Sequence, residues 1–197
     1  MNEVNINKQA KLSPHLASPS EAALSHSNEL DGLRLSPHFT LGELTKTSYH
    51  TSDGNIPSHV AIENLKRICG WLEILRERYN KKYGPSAGCG PSTSSGTAMG
   101  SGTAEIPVII SSGYRSEEVN QKCGGAKGSN HLTGCAVDIR CLGPEQMIRY
   151  ACLLLDTADE NGWVFDELIQ EKRGTTYWIH FAVRPSNNRR KILFDCR

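Results

Sequence analysis

The stretch that decides the fold and the chemistry is SNHLTGCAVDIR, residues 129–140. Apolar and polar side chains alternate in its second half, which predicts a strand with Asp138 on the face opposite the core. His131 leaves the glycine-containing loop just before this strand. Far downstream, the segment WIH predicts another strand, which carries His180. If both strands lie in one sheet, the two histidines and the aspartate can meet on one face.

These three side chains are a plausible ligand set for a metal. Two imidazoles and one carboxylate can occupy three corners of a tetrahedron around zinc and leave the fourth for water. Spacing alone leaves other interpretations open. His131 can be an exposed polar residue of the loop, and His180 can be a hydrogen-bonded histidine of the core. Asp138 can be a strand carboxylate that pairs with Arg140.

Outside this stretch, two segments have helical periodicity. In residues 57–81 and 144–161, apolar side chains recur every three or four positions, which predicts helices lying on a core. A short helix is predicted after Thr40, because Glu43 completes a capping box. Further strands are predicted at residues 106–110, 165–171, 177–183 and 190–194. This order predicts an α+β fold, with helices packed on one face of an antiparallel sheet.

Two segments are too polar and glycine-rich to form a core. Residues 1–35 are predicted to be a flexible N-terminal arm. Residues 84–105, GPSAGCGPSTSSGTAMGSGTAE, are predicted to be a low-complexity surface insertion in a connecting loop. Because a long loop costs little to close, we interpret residues 36–197 as one interrupted domain.

The bulk composition excludes several classes of protein. A formal net charge of +1 over 197 residues argues against a nucleic-acid binder. No segment is apolar enough to span a bilayer, and the N-terminus lacks the apolar region of a secretory signal, so synthesis in the cytoplasm is expected. Seven scattered cysteines form no C-x-x-C pair, and Cys69 and Cys152 are predicted to be core residues. The oligomeric state is left open.

Several blocks together resemble a known family. They are SGYRS at 112–116, S-x-H-x-x-G-x-A-x-D at 129–138, FDELIQE at 165–171 and WIH at 178–180. In this order they are similar to the zinc D-Ala-D-Ala carboxypeptidase and L-alanyl-D-glutamate endopeptidase family, whose fold is shared with the hedgehog signalling domain. The resemblance covers roughly residues 36–194. It implies a hedgehog-like α+β fold and Zn²⁺ as the cofactor.

Carried over position by position, the resemblance assigns the metal ligands to His131, Asp138 and His180. It assigns the substrate-orienting arginine to Arg115, since a guanidinium can grip a carboxylate or steady a developing oxyanion. Ser129 is expected to orient the loop of the first histidine or to touch the substrate. Trp178 shares the strand face of His180 and is expected either to form a wall of the site or simply to pack there.

The general base departs from the pattern of the family. Many members carry a glutamate three residues before the last histidine, and this chain has Tyr177 there. Glu171, in the FDELIQE block, is therefore the predicted base, because a carboxylate there can take a proton from water and pass it to the leaving amine. Asp166 is the reserve candidate.

The resemblance implies a zinc peptidase that hydrolyses peptide bonds of bacterial peptidoglycan, as a D-Ala-D-Ala carboxypeptidase or an L-Ala-D-Glu endopeptidase. The lack of a signal is typical of a phage lysin or prophage product, which reaches the cell wall by a phage-type route. One alternative is a zinc-containing module that binds peptidoglycan or protein without catalysis. Another is a structural component of a phage particle with vestigial ligands.

Overall fold

The computed structural model describes residues 32–85 and 105–196 of the chain. The described part is a mixed α+β structure in which one five-stranded sheet carries helices. Its elements are, in chain order, α1 (Leu41–Thr45), α2 (His59–Tyr83), β1 (Ile110–Ser112), α3 (Glu117–Lys122), a 3-10 turn (Asn130–Thr133), β2 (Ala136–Cys141), α4 (Pro144–Asn161), β3 (Glu167–Arg173), β4 (Thr176–Ala182) and β5 (Lys191–Cys196).

The helices begin and end at the signals that the sequence carries. The capping box between Thr40 and Glu43 is present at the start of α1. Ser58 caps α2 by accepting a hydrogen bond from a backbone N–H in its first turn. Helix α4 starts with Pro144 and stops at Gly162, whose φ of 64° suits glycine. The two long helices predicted from periodicity are thereby confirmed.

The sheet has the strand order β1-β2-β4-β3-β5. The first three neighbouring pairs are antiparallel, as predicted, but β5 pairs parallel to β3, with Glu167 opposite Lys191 and Lys172 opposite Cys196. The prediction of an antiparallel sheet is therefore wrong for this last pair. The reason is the connection: β4 ends beside the start of β3, so the chain crosses that end through residues 183–190 and β5 must run as β3 does.

One face of the sheet forms the core with α2 and α4. The Trp71 ring of α2 packs edge-on against Phe181 of β4, with ring centroids 5.3 Å apart. Each fully buried large apolar side chain contributes about 1.5–3 kcal/mol, so this face carries most of the stabilisation and leaves the opposite face available for polar groups. The buried sheet residues on the core face include Val137, Ile139, Leu168, Ile179 and Phe181.

Some predicted details are corrected. The strand expected over residues 106–110 lies at Ile110–Ser112 instead, because the segment before it makes only isolated contacts, such as the Arg140 N–H bonded to the Ile109 carbonyl. Cys69 is buried as predicted, whereas Cys152 is exposed. The core position on α4 is taken by Tyr150, whose ring packs on Tyr79 at 4.7 Å.

Most of the predicted N-terminal arm and of the predicted low-complexity insertion lies outside the described residues. This holds for residues 1–31 of the arm and for residues 86–104 of the insertion. Residues 32–35 contact the domain, since Arg34 forms a β-bridge with Thr40 and Leu35 packs against the core. None of the helices within residues 32–85 and 105–196 combines the length and the hydropathy needed to cross a bilayer.

Candidate metal centre

The sheet brings His131, Asp138 and His180 together on the face opposite the core. Asp138 of β2 and His180 of β4 are directly paired in the antiparallel register, and His131 lies in the 3-10 turn before β2. The His180 Nδ1 and His131 Nε2 atoms lie 3.1 Å and 3.2 Å from the Asp138 Oδ1 atom. The two histidine nitrogens are 3.2 Å apart. Three donor atoms thus form a nearly equilateral triangle.

The 3-10 turn holds His131 in place through its two ends. Ser129 caps the turn by accepting a hydrogen bond from the His131 N–H at 3.4 Å. Gly134 ends it with a φ of 69°, and a Cβ there would lie 2.5 Å from the Ala61 carbonyl oxygen of α2. Only glycine fits both the conformation and the close approach. The side-chain amide of Asn64 in α2 donates to the Thr133 carbonyl at 2.9 Å, which ties the turn to the helix.

Hydrogen bonds on the outer side of each imidazole select the nitrogen that faces the centre. The His131 Nδ1–H group donates to the Gly113 carbonyl at 2.6 Å, so its Nε2 lone pair points inward. The His180 Nε2 atom lies 3.5 Å from the Glu167 carboxylate, so its Nδ1 lone pair points inward. Such outer partners are the usual means by which proteins orient histidine ligands of metals.

The triangle fits a tetrahedral zinc ion. Zinc bonds to nitrogen and oxygen of about 2.0–2.1 Å require ligand atoms about 3.3–3.4 Å apart, close to the 3.1–3.2 Å found between the three donors. His131 and Asp138 are almost fully buried, with 2% and 8% of their surface exposed. Two imidazoles and one carboxylate leave a fourth position for water or substrate, which is the ligand count of a catalytic zinc site.

The electrostatics of the cluster favour a positive charge at its centre. Burial alone raises the pKa of Asp138, but the imidazoles of His131 and His180 outweigh it and hold that pKa well below its usual range. Burial likewise opposes a charge on His180, yet its hydrogen bonds with Asp138 and Glu167 raise its pKa to about 9. A divalent cation can replace the proton that these groups otherwise share.

Arg115 contacts the Asp138 carboxylate directly. Its Nη2 atom lies 2.5 Å from the Asp138 Oδ2 atom, whereas the two histidines contact Oδ1, and its Nε–H donates to Ser112 Oγ at 2.8 Å. The side chain is 17% exposed and lines the cavity over the centre. The structure therefore places it as a brace on Asp138 at the edge of the cavity.

A cavity of about 330 Å³ opens over the triangle. Glu171 of β3 lies in its wall, paired across the ladder with Trp178 of β4, next to the row of His180. Burial and the nearby charge of Asp138 raise the pKa of Glu171. Ser129 also lines this cavity. All the site residues expected from the sequence, apart from the reserve Asp166, thus meet here.

Tyr177 faces the other way. It is an odd number of residues from His180 on a regular strand, so its side chain lies on the core face, where its ring packs against the core. It does not line the cavity over the metal triangle. A carboxylate at this position could not reach the centre without a change of strand geometry, whereas one at Glu171 can.

Asp166 is buried away from the cavity. It accepts hydrogen bonds from the side chains of Asn130, at 2.9 Å, and Arg189, at 2.7 Å. Burial raises its pKa, but these donors and Arg184 outweigh that effect and lower the pKa to about 2. Its neighbours therefore hold it as a structural anion.

Glu167 was missed by the sequence reasoning. Besides its contact with His180, it accepts a hydrogen bond from Asn130 at 3.0 Å and pairs with Arg189 at 3.0 Å and Lys191 at 3.3 Å. The signal was available, since residues 167 and 169 share a strand face with the predicted base, Glu171. The partner strand and its register, however, were needed to show that this face meets His180.

Residues 98–164 match a family model described as Peptidase M15. The matched segment contains Arg115, His131 and Asp138 and stops before Glu171 and His180, so those two positions rest on the geometry of the sheet. The match confirms the resemblance to the zinc D-Ala-D-Ala carboxypeptidase family. No curated protein matches the chain.

Proposed function

We propose that the chain is a metallopeptidase of the M15 family, whose model residues 98–164 match, and that it hydrolyses peptide bonds of bacterial peptidoglycan with zinc held by His131, Asp138 and His180. The bond is of the D-Ala-D-Ala or the L-Ala-D-Glu type. The observation that carries the proposal is the triangle of three donor atoms within 3.2 Å of one another, beneath a cavity whose wall includes the Glu171 carboxylate.

Zinc, when bound, supplies a Lewis acid that polarises the scissile carbonyl and makes water a nucleophile at neutral pH. The protein supplies the proton transfer. In the proposal, the Glu171 carboxylate takes a proton from the attacking water and returns it to the leaving amine. Its raised pKa suits both steps, because a base whose pKa lies nearer the working pH can also release the proton.

The other cavity residues are assigned to positioning. Arg115 fixes the rotamer of Asp138 and presents its remaining N–H groups to a substrate carboxylate or to the oxyanion of the tetrahedral intermediate. Trp178 forms a wall beside Glu171, and the Ser129 hydroxyl lies at the edge of the cavity. Most side chains that line the cleft are polar or charged, so they can form hydrogen bonds with the backbone of a peptide. Release to the cell wall by a phage-type route belongs to the same proposal.

The test combines metal content with digestion of purified peptidoglycan, with products identified by mass spectrometry. We expect about one zinc per chain and a cut that a chelator abolishes and added zinc restores. His180→Ala should lose both zinc and hydrolysis. The matched control is His59→Ala, which removes an exposed histidine at the start of α2.

The other outcomes separate the alternatives. Stoichiometric zinc with peptide binding but no cleavage would replace the peptidase by a non-catalytic binding module. A chain that purifies without metal and takes up none would indicate vestigial ligands. Hydrolysis that His180→Ala leaves unchanged would refute the assigned centre.

A further inference from the structure

A second cavity, of about 380 Å³, adjoins the one over the metal triangle. The two cavities share Ser111, Arg115 and Cys123 in their walls, so a bound peptide can pass from one into the other around the Arg115 side chain. The far wall is the loop that follows α1, at residues 46–49. No residue of this loop belongs to the metal site or to the assigned machinery.

The lining of the second cavity is cationic. Within the part of the chain that the structure describes, its charged side chains are Lys46 and Arg115, and its lining contains no aspartate or glutamate. Among the described residues, Lys46 has no hydrogen-bond or ion-pair partner, unlike Lys66 and Lys122, which pair with glutamates. An ammonium group left without a carboxylate beside a substrate cleft is available to an anionic ligand. The hydroxyls of the same loop add neutral hydrogen-bonding groups.

The wall that carries Lys46 is held at several points. The buried side chain of Asn55 donates to the Thr45 and Tyr114 carbonyls and accepts from the Ser116 N–H at 2.7 Å. The Glu118 carboxylate accepts hydrogen bonds from both the N–H and the hydroxyl of Ser52, each at 2.9 Å. The segments on both sides of the loop at residues 46–49 are therefore held in place, which reduces the ordering that a ligand must supply.

The Lys122 ammonium adds a further attachment. It donates to the His50 carbonyl at 2.6 Å, just beyond the lining residues of the loop. Contacts with α1 and α3 thus hold the segments that border this cavity, and Lys46, the cation of the loop at residues 46–49, has no partner among the described residues.

We propose that this second cavity is a substrate subsite in which Lys46 binds a free carboxylate of the peptide. The proposal rests on the proposed peptidase function and narrows its substrate to peptides that carry an unmodified carboxylate near the scissile bond. An amidated peptide would forfeit this contact. Charge-assisted hydrogen bonds from ammonium to carboxylate are worth more than neutral ones, so the loss is measurable.

The test uses two probes with one negative charge each. They are diacetyl-L-lysyl-D-alanyl-D-alanine, with its terminal carboxylate, and acetyl-L-alanyl-D-glutamate γ-methylamide, with its α-carboxylate. Each is compared with the counterpart in which that carboxylate is an amide. Binding is measured by calorimetry on the zinc-loaded chain and again after chelation, so that direct binding of the carboxylate to the metal is recognised.

Lys46→Met should weaken binding of at least one carboxylate probe about tenfold and leave its amide counterpart unchanged, the size of one charge-assisted contact. The matched control Lys66→Met removes an exposed lysine paired with Glu63 and should change neither. Equal effects of Lys46→Met on acid and amide, or no effect on either carboxylate probe, would overturn the subsite.

Failure of the subsite and failure of the peptidase are distinguishable. If peptidoglycan is cut and Lys46→Met changes neither binding nor KM, the subsite is refuted while the peptidase stands. If nothing is cut but the carboxylate probe binds through Lys46, the subsite stands and the peptidase is refuted.

Discussion

Two glutamates of β3, one at its start and one near its end, lie on the same face of the strand but have opposite surroundings. Glu167 is enclosed by His180, Asn130, Arg189 and Lys191, and the hydrogen bond with His180 leads the effects that lower its pKa to about 2. Glu171 lies four residues further along the strand. It is partly buried beside the cavity, and burial raises its pKa.

The difference shows that strand position selects the face, whereas the surroundings select the role. A carboxylate held as an anion by several donors gains little from taking up a proton, so it is suited to act as a fixed brace on a candidate metal ligand. A carboxylate whose charge is disfavoured and whose partners are few is suited to exchange a proton. The following changes test that contrast.

The largest effect is expected at Glu171, the glutamate that borders the cavity. Glu171→Gln should lower kcat at least a hundredfold, because removing a general base commonly costs two to four orders of magnitude. Zinc content should stay near one per chain, since the side chain does not belong to the donor triangle. Steady-state kinetics with metal analysis measures both. Glu63→Gln, on the exposed face of α2, is the control.

A variant Glu171→Gln that keeps the rate of the parent would place the base elsewhere. Loss of zinc together with activity would instead make Glu171 part of the metal site. Either result would contradict the assignment of proton transfer to Glu171.

At Glu167, the glutamate enclosed by its partners, the expected change is in the affinity for zinc. Glu167→Gln removes the charge that faces His180 Nε2, so we expect zinc affinity to fall about 10–100-fold, as is typical when an outer partner of a histidine ligand is changed. At saturating zinc, kcat should recover to near the parent value. Competition with a chelator gives the affinity. A kcat that stays low at saturating zinc would contradict the division of roles.

Glu167 and Glu171 also show how much of the site could be predicted from the sequence. Alternation placed Asp138 and His180 on polar strand faces, and the motif blocks named Glu171 and the triangle of ligands. The brace by Glu167, the salt bridge from Arg115 to Asp138 and the parallel pairing of β5 were missed. Each depends on which strand lies beside which, and register is set by long-range packing that one sequence does not reveal.

The free energy of unfolding at acidic pH tests the role of Asp166, the residue before Glu167. The pKa of Asp166 is lowered from 3.8 to about 2, so the ionised form stabilises the fold above about pH 4, and this contribution is lost as the pH falls through 2. The shift corresponds to about 2 kcal/mol. Urea unfolding should therefore show Asp166→Asn destabilised by roughly that amount at pH 7 and much less at pH 2.5. An equal loss at both values would assign the effect to packing.

The smallest effect is expected at Tyr177, the position where the family usually carries its glutamate. The ring packs on the core side of β4, and the ammonium of Lys172 lies 5.7 Å from its centroid. Tyr177→Phe keeps that packing and removes only the hydroxyl, so kcat/KM should stay within about twofold of the parent, measured beside Glu171→Gln. A loss comparable to that of Glu171→Gln would mean that the hydroxyl reaches the reacting groups. The side-chain alternation along β4 would then have to break between Tyr177 and His180. The difference between Glu167 and Glu171 would no longer identify the group that transfers the proton.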